Sequence, residues 1–192
     1  GHGVPGALMS FIGHFSLNQI MSSHKDIAIS PSNILDNLHS MVQKTLKQDN
    51  GDSEARDGMD ISLCKINITN REVQYAGAHR PLLILKNGEL EEIKGDRYPI
   101  GGMHYKNRDN FTNHSVSLNE GDSFYFFTDG LPDQFGGEKG DKKFMSKRVK
   151  DIILSNKDKS MKDMKKVFIK EFEEWKGEYK QMDDVLLIGI KL

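Results

Sequence analysis

Two aspartate-bearing strand ends are the places in this chain where residue type and spacing could do chemistry. Phe124-Tyr125-Phe126-Phe127 runs into Thr128-Asp129-Gly130-Leu131, and Asp183-Asp184 precedes Val185-Leu186-Leu187-Ile188-Gly189-Ile190. Each apolar run reads as a strand buried on both faces, inside a layered sheet. A carboxylate at the lip of such a strand is held where the core meets solvent. Two such lips brought together make a hard oxygen site suited to magnesium or manganese. Taken singly, Asp129-Gly130 also reads as a turn and Asp183-Asp184 as a strand entry.

Other reactive side chains give weaker patterns. Arg97, in Gly95-Asp96-Arg97-Tyr98-Pro99, has a guanidinium fork that could grip an oxyanion or close a loop salt bridge. His2, in the glycine-rich start, could act as a general acid, and His79, between two strands, could approach the aspartate lips; each also reads as a plain loop histidine. Asp57 and Asp60 read as caps for the strand that follows them, with metal binding as the alternative. The remaining histidines show no zinc-type spacing and no cysteine pairs accompany them. Cys64, the lone cysteine, reads as a small core side chain and lacks the Cys-x5-Arg loop of a cysteine phosphatase. Gly1-His2-Gly3-Val4-Pro5-Gly6 lacks the Lys-Ser/Thr ending of a P-loop.

These residues need a scaffold, and the periodicity supplies one. Val4, Leu8, Ile12 and Phe15 recur at helical spacing, predicting a helix over 4–22 with this stripe toward the core. Ser30-Pro31 opens a second helix striped by Ile34, Leu35, Leu38, Met41, Val42 and Leu46. After a polar loop the period changes to that of strands: 60–68, 72–76, 82–86 and 89–93, with Asn87-Gly88 as a tight hairpin turn. Strands over 112–118 and 123–128 read as another pair. A helix over about 144–156 follows, then one capped by Ser160 with Asp163 three residues on, ending near Gly177. The organisation is a single domain: 1–50 a helical pair, 57–135 antiparallel strands, 144–177 a second helical pair, 183–192 the last central strand. Helices segregated from hairpins make the fold class α+β.

The 192 residues suffice for one real core, with 36% hydrophobic and 29% charged residues. A net charge of −1, from 27 basic and 28 acidic residues, gives no electrostatic support for nucleic-acid binding. No apolar run reaches the ~20 residues of a membrane helix, so direct membrane insertion is not expected. The single cysteine suits a reducing, cytoplasmic setting.

Six short motifs then occur in a telling order. They are Gly1-His2-Gly3-Val4-Pro5-Gly6-Ala7-Leu8-Met9, Asp57-Gly58-Met59-Asp60, Ala76-Gly77-Ala78-His79-Arg80-Pro81, Gly95-Asp96-Arg97-Tyr98-Pro99-Ile100-Gly101, Phe127-Thr128-Asp129-Gly130 and Asp183-Asp184-Val185-Leu186-Leu187. Together they resemble the bacterial metal-dependent serine phosphatases related to the sporulation phosphatase, a branch of the protein phosphatase 2C superfamily. The resemblance spans nearly the whole chain.

The resemblance implies an αββα sandwich of the protein phosphatase 2C type, with two manganese or magnesium ions at one end of the sheets. It matches Asp129 to the metal aspartate of the Thr-Asp-Gly motif, Asp183 to the first acid of the last-strand motif, and Asp184 to that acid's neighbour. It implies hydrolysis of phosphoserine or phosphothreonine by a metal-activated water, with no nucleophilic side chain. It places two further acidic ligands and the family's first strands before Gly1, so the chain is expected to be an N-terminally truncated domain. A sheet with open edges is expected to associate, by dimerising, swapping elements or borrowing a strand. The alternative is a catalytically inactive phosphatase-fold module for partner binding or dimerisation. The implied substrate is a phosphorylated regulatory protein of the anti-anti-sigma type, and the implied setting is the C-terminal domain of a larger sensor.

Overall fold

The computed structural model describes residues 3–23, 29–48, 57–102 and 109–192. The loop expected over 49–57 lies, except for Asp57, outside the described residues. In chain order the elements are α1 (Gly3–Ser23), α2 (Pro31–Thr45), β1 (Gly58–Met59), β2 (Ile61–Asn67), β3 (Glu72–Ala78), β4 (Leu82–Lys86), β5 (Glu89–Ile93), β6 (Ile100–Gly101), β7 (His114–Ser117) and β8 (Ser123–Phe127). There follow α3 (Gly130–Asp133), β9 (Phe135–Gly136), β10 (Lys142–Lys143), α4 (Met145–Ser155), α5 (Met161–Lys176) and β11 (Leu187–Lys191).

The chain divides into two compact units, each discontinuous in sequence: Gly1–Pro81 with Lys94–Ser117, and Leu82–Ile93 with Leu118–Leu192. Each unit builds a helix layer on an antiparallel sheet, as α+β segregation requires.

The first unit's sheet has the order β2-β3-β7. Its helices bury Met9 and Ile20 from α1, and Ile34, Leu35, Leu38 and Val42 from α2, with Ala76, Ala78, Ile100 and Phe111. The α2 cap forms as its sequence predicts: the Ser30 hydroxyl accepts the Asn33 amide at 3.2 Å, and proline occupies the first turn. The α1 stripe does not behave as expected. Val4, Leu8 and Phe15 are 73%, 57% and 66% exposed, and the helix turns Met9, Gly13, Ser16 and Ile20 inward instead. α1 is apolar around most of its circumference, so its period identified a helix without saying which face is buried.

The second unit's sheet has the order β11-β8-β4-β5, and α4 and α5 cover it. Leu83, Leu85, Tyr125 and Phe127 from the sheet pack with Val149, Ile153, Met164, Phe168 and Phe172 from the helices. β4 and β5 join through Asn87-Gly88, both at positive φ (51 and 80), as a two-residue hairpin demands. Buried Asp122 fastens that turn: its carboxylate accepts the Asn87 amide at 3.0 Å and the Asn119 amide at 2.7 Å.

Two strand expectations are corrected. The segments 112–118 and 123–128 do not pair: β7 joins β3 in the first unit, while β8 lies between β4 and β11 in the second. The last strand starts at Leu187, not Val185, and is half-buried along Leu187–Ile190, not enclosed on both faces. β11 pairs with one neighbour only among the described residues, so its other edge is unmatched there.

Candidate active site

β8 delivers Asp129. Its apolar run Ser123–Phe127 is locked between β4 and β11, with Tyr125 opposite Leu83 and Phe127 opposite Leu187. The chain then leaves the sheet through Thr128 and turns into α3, whose first backbone bond is Asp133 N–H to the Asp129 carbonyl at 2.9 Å. Asp129 therefore stands half-buried at the strand lip, in helical backbone geometry (φ −63, ψ −26).

Thr128 brings the Asp183-Asp184 pair to the same place. Its hydroxyl donates to the Asp184 carbonyl at 2.9 Å and accepts the Leu186 amide at 3.0 Å; its own amide donates to the Leu186 carbonyl at 3.0 Å. The two backbones touch: a Cβ built on Gly130 would meet the Asp184 carbonyl carbon at 2.9 Å and the Asp183 carbonyl carbon at 3.3 Å. Glycine here is a requirement of close approach, not of unusual φ. The Asp183 carboxylate accepts the Asp184 amide at 2.8 Å, and both side chains are solvent-exposed.

Gln134, buried just past α3, orders the approach to Asp183. Its side-chain amide donates to the Lys180 carbonyl at 3.0 Å, and its side-chain carbonyl accepts the Met182 amide at 3.4 Å. Its backbone carbonyl accepts the Trp175 indole N–H at 3.2 Å. Trp175 in turn lies under the Arg148 guanidinium, 4.1 Å from the ring centroid. Sequence reasoning assigned no role to Gln134 or to Thr128. Thr128 stood inside a recognised motif; Gln134 had no local signal.

The clamp joins the backbone segments that carry Asp129, Asp183 and Asp184, whose donors are carboxylates and carbonyls, with no thiolate or imidazole. That chemistry fits a hard divalent cation such as magnesium or manganese and not zinc. Among the described residues no group of three or more His, Cys, Asp or Glu side chains is gathered closely enough to form a metal site by itself. An apolar groove of ≈ 590 Å³ runs beside β11, between Leu187 and Phe168. Its mostly apolar walls do not suit a phosphate.

The remaining candidates belong to the first unit. Asp60 accepts from His79 Nδ1 at 2.9 Å and from Arg80 Nη2 at 2.6 Å and Nε at 3.2 Å, so its carboxylate is committed to those two side chains. His79 is partly exposed and sits in the left-handed region at φ 58, where its amide donates to the Asp96 carbonyl at 2.8 Å. Asp96 carries the neighbouring turn through its carboxylate, which accepts the Thr112 amide at 2.8 Å and hydroxyl at 3.0 Å. Arg97 is exposed. Asp57 contributes its carbonyl, which accepts the Gln48 side-chain amide at 2.8 Å. His2 lies outside the described residues. Cys64 is half-buried, and burial pushes its thiol up to about 12, so it is inert at neutral pH.

Comparison with known proteins decides what this arrangement belongs to. The sequence matches the Stage II sporulation protein E (SpoIIE) family over residues 1–192. The chain belongs to that family. No curated protein matches its sequence. Among solved structures it is similar to the SiaA-PP2C domain of Pseudomonas aeruginosa, with 28% identity and a TM-score of 0.84 over 100% of this chain and 72% of that one. It is also similar to the RsbU and RsbW domains of Rv1364c from Mycobacterium tuberculosis, with 21% identity and a TM-score of 0.66 over 100% of this chain and 50% of that one. The manganese-presoaked phosphatase domain of SpoIIE from Bacillus subtilis is similar at 12% identity, with a TM-score of 0.58 over 92% of this chain and 73% of that one. The last two likenesses speak for the fold alone.

The chain is thus a PP2C-type phosphatase domain of the kind carried by bacterial signalling regulators, with the corresponding mixed helix-and-sheet fold. Domains of this family use divalent metal ions. Among the described residues no helix is long and apolar enough to cross a membrane.

Proposed function

We propose that Asp129 and Asp183, flanked by Asp184, are the metal ligands of a site that hydrolyses phosphoserine or phosphothreonine on a regulatory protein. The observation that carries this reading is the Thr128 clamp, which fastens the Asp129 lip to the Asp183-Asp184 segment by three hydrogen bonds. A divalent cation supplies such a site with neutralisation of the phosphate's charge and a water of lowered pKa. The chain's own contribution is placement. Asp129 is fixed by a strand end and a helix start. Asp183 is fixed by the Gln134 ties and by its bond to the Asp184 amide.

Manganese or magnesium fits equally well, and two ions are proposed for the full site, with the remaining ligands supplied from beyond these three aspartates. Arg97, His79 and His2 are proposed phosphate or substrate contacts. The proposed substrate is a phosphorylated regulator of the anti-anti-sigma type, as the motif resemblance implies. The proposed setting is the C-terminal domain of a larger cytoplasmic sensor protein.

The test is manganese-dependent hydrolysis of a phosphoserine peptide by the wild type, Asp129→Asn and Asp183→Asn. Loss of at least ~100-fold in turnover in both variants, with unchanged melting temperature, is expected. Turnover retained in either variant would remove that residue from the site.

A further inference from the structure

The stretch that follows α3 is braced more firmly than a surface loop needs. β9 and β10 form a hairpin, with Phe135 opposite Lys143 and Gly136 opposite Lys142. The Phe144 amide closes its base by donating to the Gln134 carbonyl at 2.9 Å. The hairpin rests on the end of α5. The Gly137 amide donates to the Trp175 carbonyl at 2.9 Å, and a Cβ on Gly136 would meet the Trp175 carbonyl carbon at 2.7 Å. At its turn Gly140, at φ 66, leaves no room for a side chain against the Tyr179 ring. Lys143 ties β10 back to α3 through Asp133 at 3.1 Å.

Three large apolar side chains stand exposed on this framework. Phe135 is 38% exposed, Tyr179 42% and Met182 65%. Their segments are bonded to one another: Gln134, just before Phe135, holds the Lys180 carbonyl and the Met182 amide, while the hairpin turn touches Tyr179. Single exposed apolar residues are ordinary, but adjoining ones on braced backbone mark a contact surface. Together the three expose on the order of 300 Å². Charges of both signs, Lys139 and Lys142 with Glu138 and Asp141, stand exposed on the same hairpin. An apolar centre with a polar rim is the anatomy of a protein interface.

The surface adjoins the aspartates. α3 rises ~1.5 Å per residue, so Phe135 lies no more than about 14 Å from Asp129. Tyr179 is four residues before Asp183, so at most about 15 Å separates them. An extended peptide covers ~3.3 Å per residue. Both side chains therefore fall within about five residues of a phosphoserine held at the aspartates.

We propose that Phe135, Tyr179 and Met182 form a docking surface for the protein that carries the phosphoserine, gripping apolar side chains close to the phosphorylated position. This inference rests on Asp129 and Asp183 being the phosphate site. Continuity with that site commits the occupant, because a protein that seats its phosphate there must cover the segments beside it. The apolar centre favours a partner that buries apolar side chains against it. A small phosphate ester makes no such contact.

The experiment compares three substrates with manganese: p-nitrophenyl phosphate, a phosphoserine peptide with leucine and phenylalanine within about five residues of the phosphoserine, and the same peptide with glycine in their place. The proteins are the wild type, Phe135→Ser and Tyr179→Ser. The wild type should favour the apolar peptide at least about tenfold in kcat/KM, mostly through KM. Each variant should lose most of that preference, with turnover of p-nitrophenyl phosphate and melting temperature unchanged. Equal use of both peptides by the wild type would overturn the proposal. So would variants that lose the ester and peptide reactions alike. Fluorescence anisotropy with the non-hydrolysable phosphonate analogue of each peptide separates docking from chemistry. If no substrate is turned over, the reading of the aspartates fails on its own; preferential binding of the apolar analogue, lost in Phe135→Ser, would still support the docking surface, and equal binding of both would overturn it. Self-association abolished by Phe135→Ser, with both peptides handled alike, would assign the surface to a second copy and overturn the proposal.

Discussion

Gly130→Ala is the substitution that most sharply probes the meeting of the two aspartate segments. The added methyl would lie 2.9 Å from the Asp184 carbonyl carbon, and closer still to its oxygen. Ordinary carbon–carbon contact is ~3.5 Å, so the segments must part by at least about 0.6 Å (3.5 less 2.9). Neither side yields freely. Gly130 opens α3 directly after the β8 lip, and Asp184 is held by the Thr128 hydroxyl. Overpacking of this kind costs ~1–3 kcal/mol in stability. The functional cost is larger in proportion, because a misplacement of ~1 Å in a catalytic constellation lowers rates about 100-fold. Gly130→Ala should therefore lower manganese-dependent turnover of a phosphoserine peptide by at least about tenfold, while the melting temperature falls by only a few degrees. Turnover within about threefold of wild type would refute the argument that the two segments must touch for the site to work.

Three further outcomes are expected. Thr128→Val removes both hydroxyl bonds and should cost ~1–3 kcal/mol in a urea titration, whereas Thr128→Ser should recover most of it. Ser160→Ala removes the acceptor of the Asp163 amide at 3.1 Å and should cost ~1 kcal/mol by the same measurement. Burial raises the Cys64 thiol to about 12 from the ordinary 9.0, so its contribution is complete below the unfolded value and is lost as pH rises from about 9 to about 12. The urea midpoint of the wild type should therefore fall more steeply over that alkaline range than that of Cys64→Ala; parallel curves would contradict the assignment.

What could be read in the chain was local. Asn87-Gly88 announces its hairpin because only residues tolerant of positive φ fit there, and Ser30-Pro31 and Ser160 announce helix starts by satisfying amides within one turn. Asp129 and Asp183 stand beside apolar runs, but it was the resemblance carried by six ordered motifs that matched them to metal aspartates; the clamp that joins their segments could not be read, since Thr128 and Asp184 are 56 residues apart. Strand pairing failed for the same reason. The turn after Leu118 looks like a hairpin, yet β7 and β8 find partners elsewhere through long-range packing. α1 failed differently: with apolar residues on both faces, its pattern could not choose an inner one. Gln134 carried no signal at all, because a single glutamine shows its worth only once the segment at 180–182 is folded against it.

The account rests on Asp129 and Asp183 sharing one cation site, and manganese binding measured by calorimetry tests that most directly. Wild type, Asp129→Asn and Asp183→Asn would be titrated with manganese, and their melting temperatures followed with and without the ion. The account predicts a binding isotherm and a manganese-dependent rise in melting temperature for the wild type, both abolished by either substitution. Manganese bound equally well by all three proteins would contradict it.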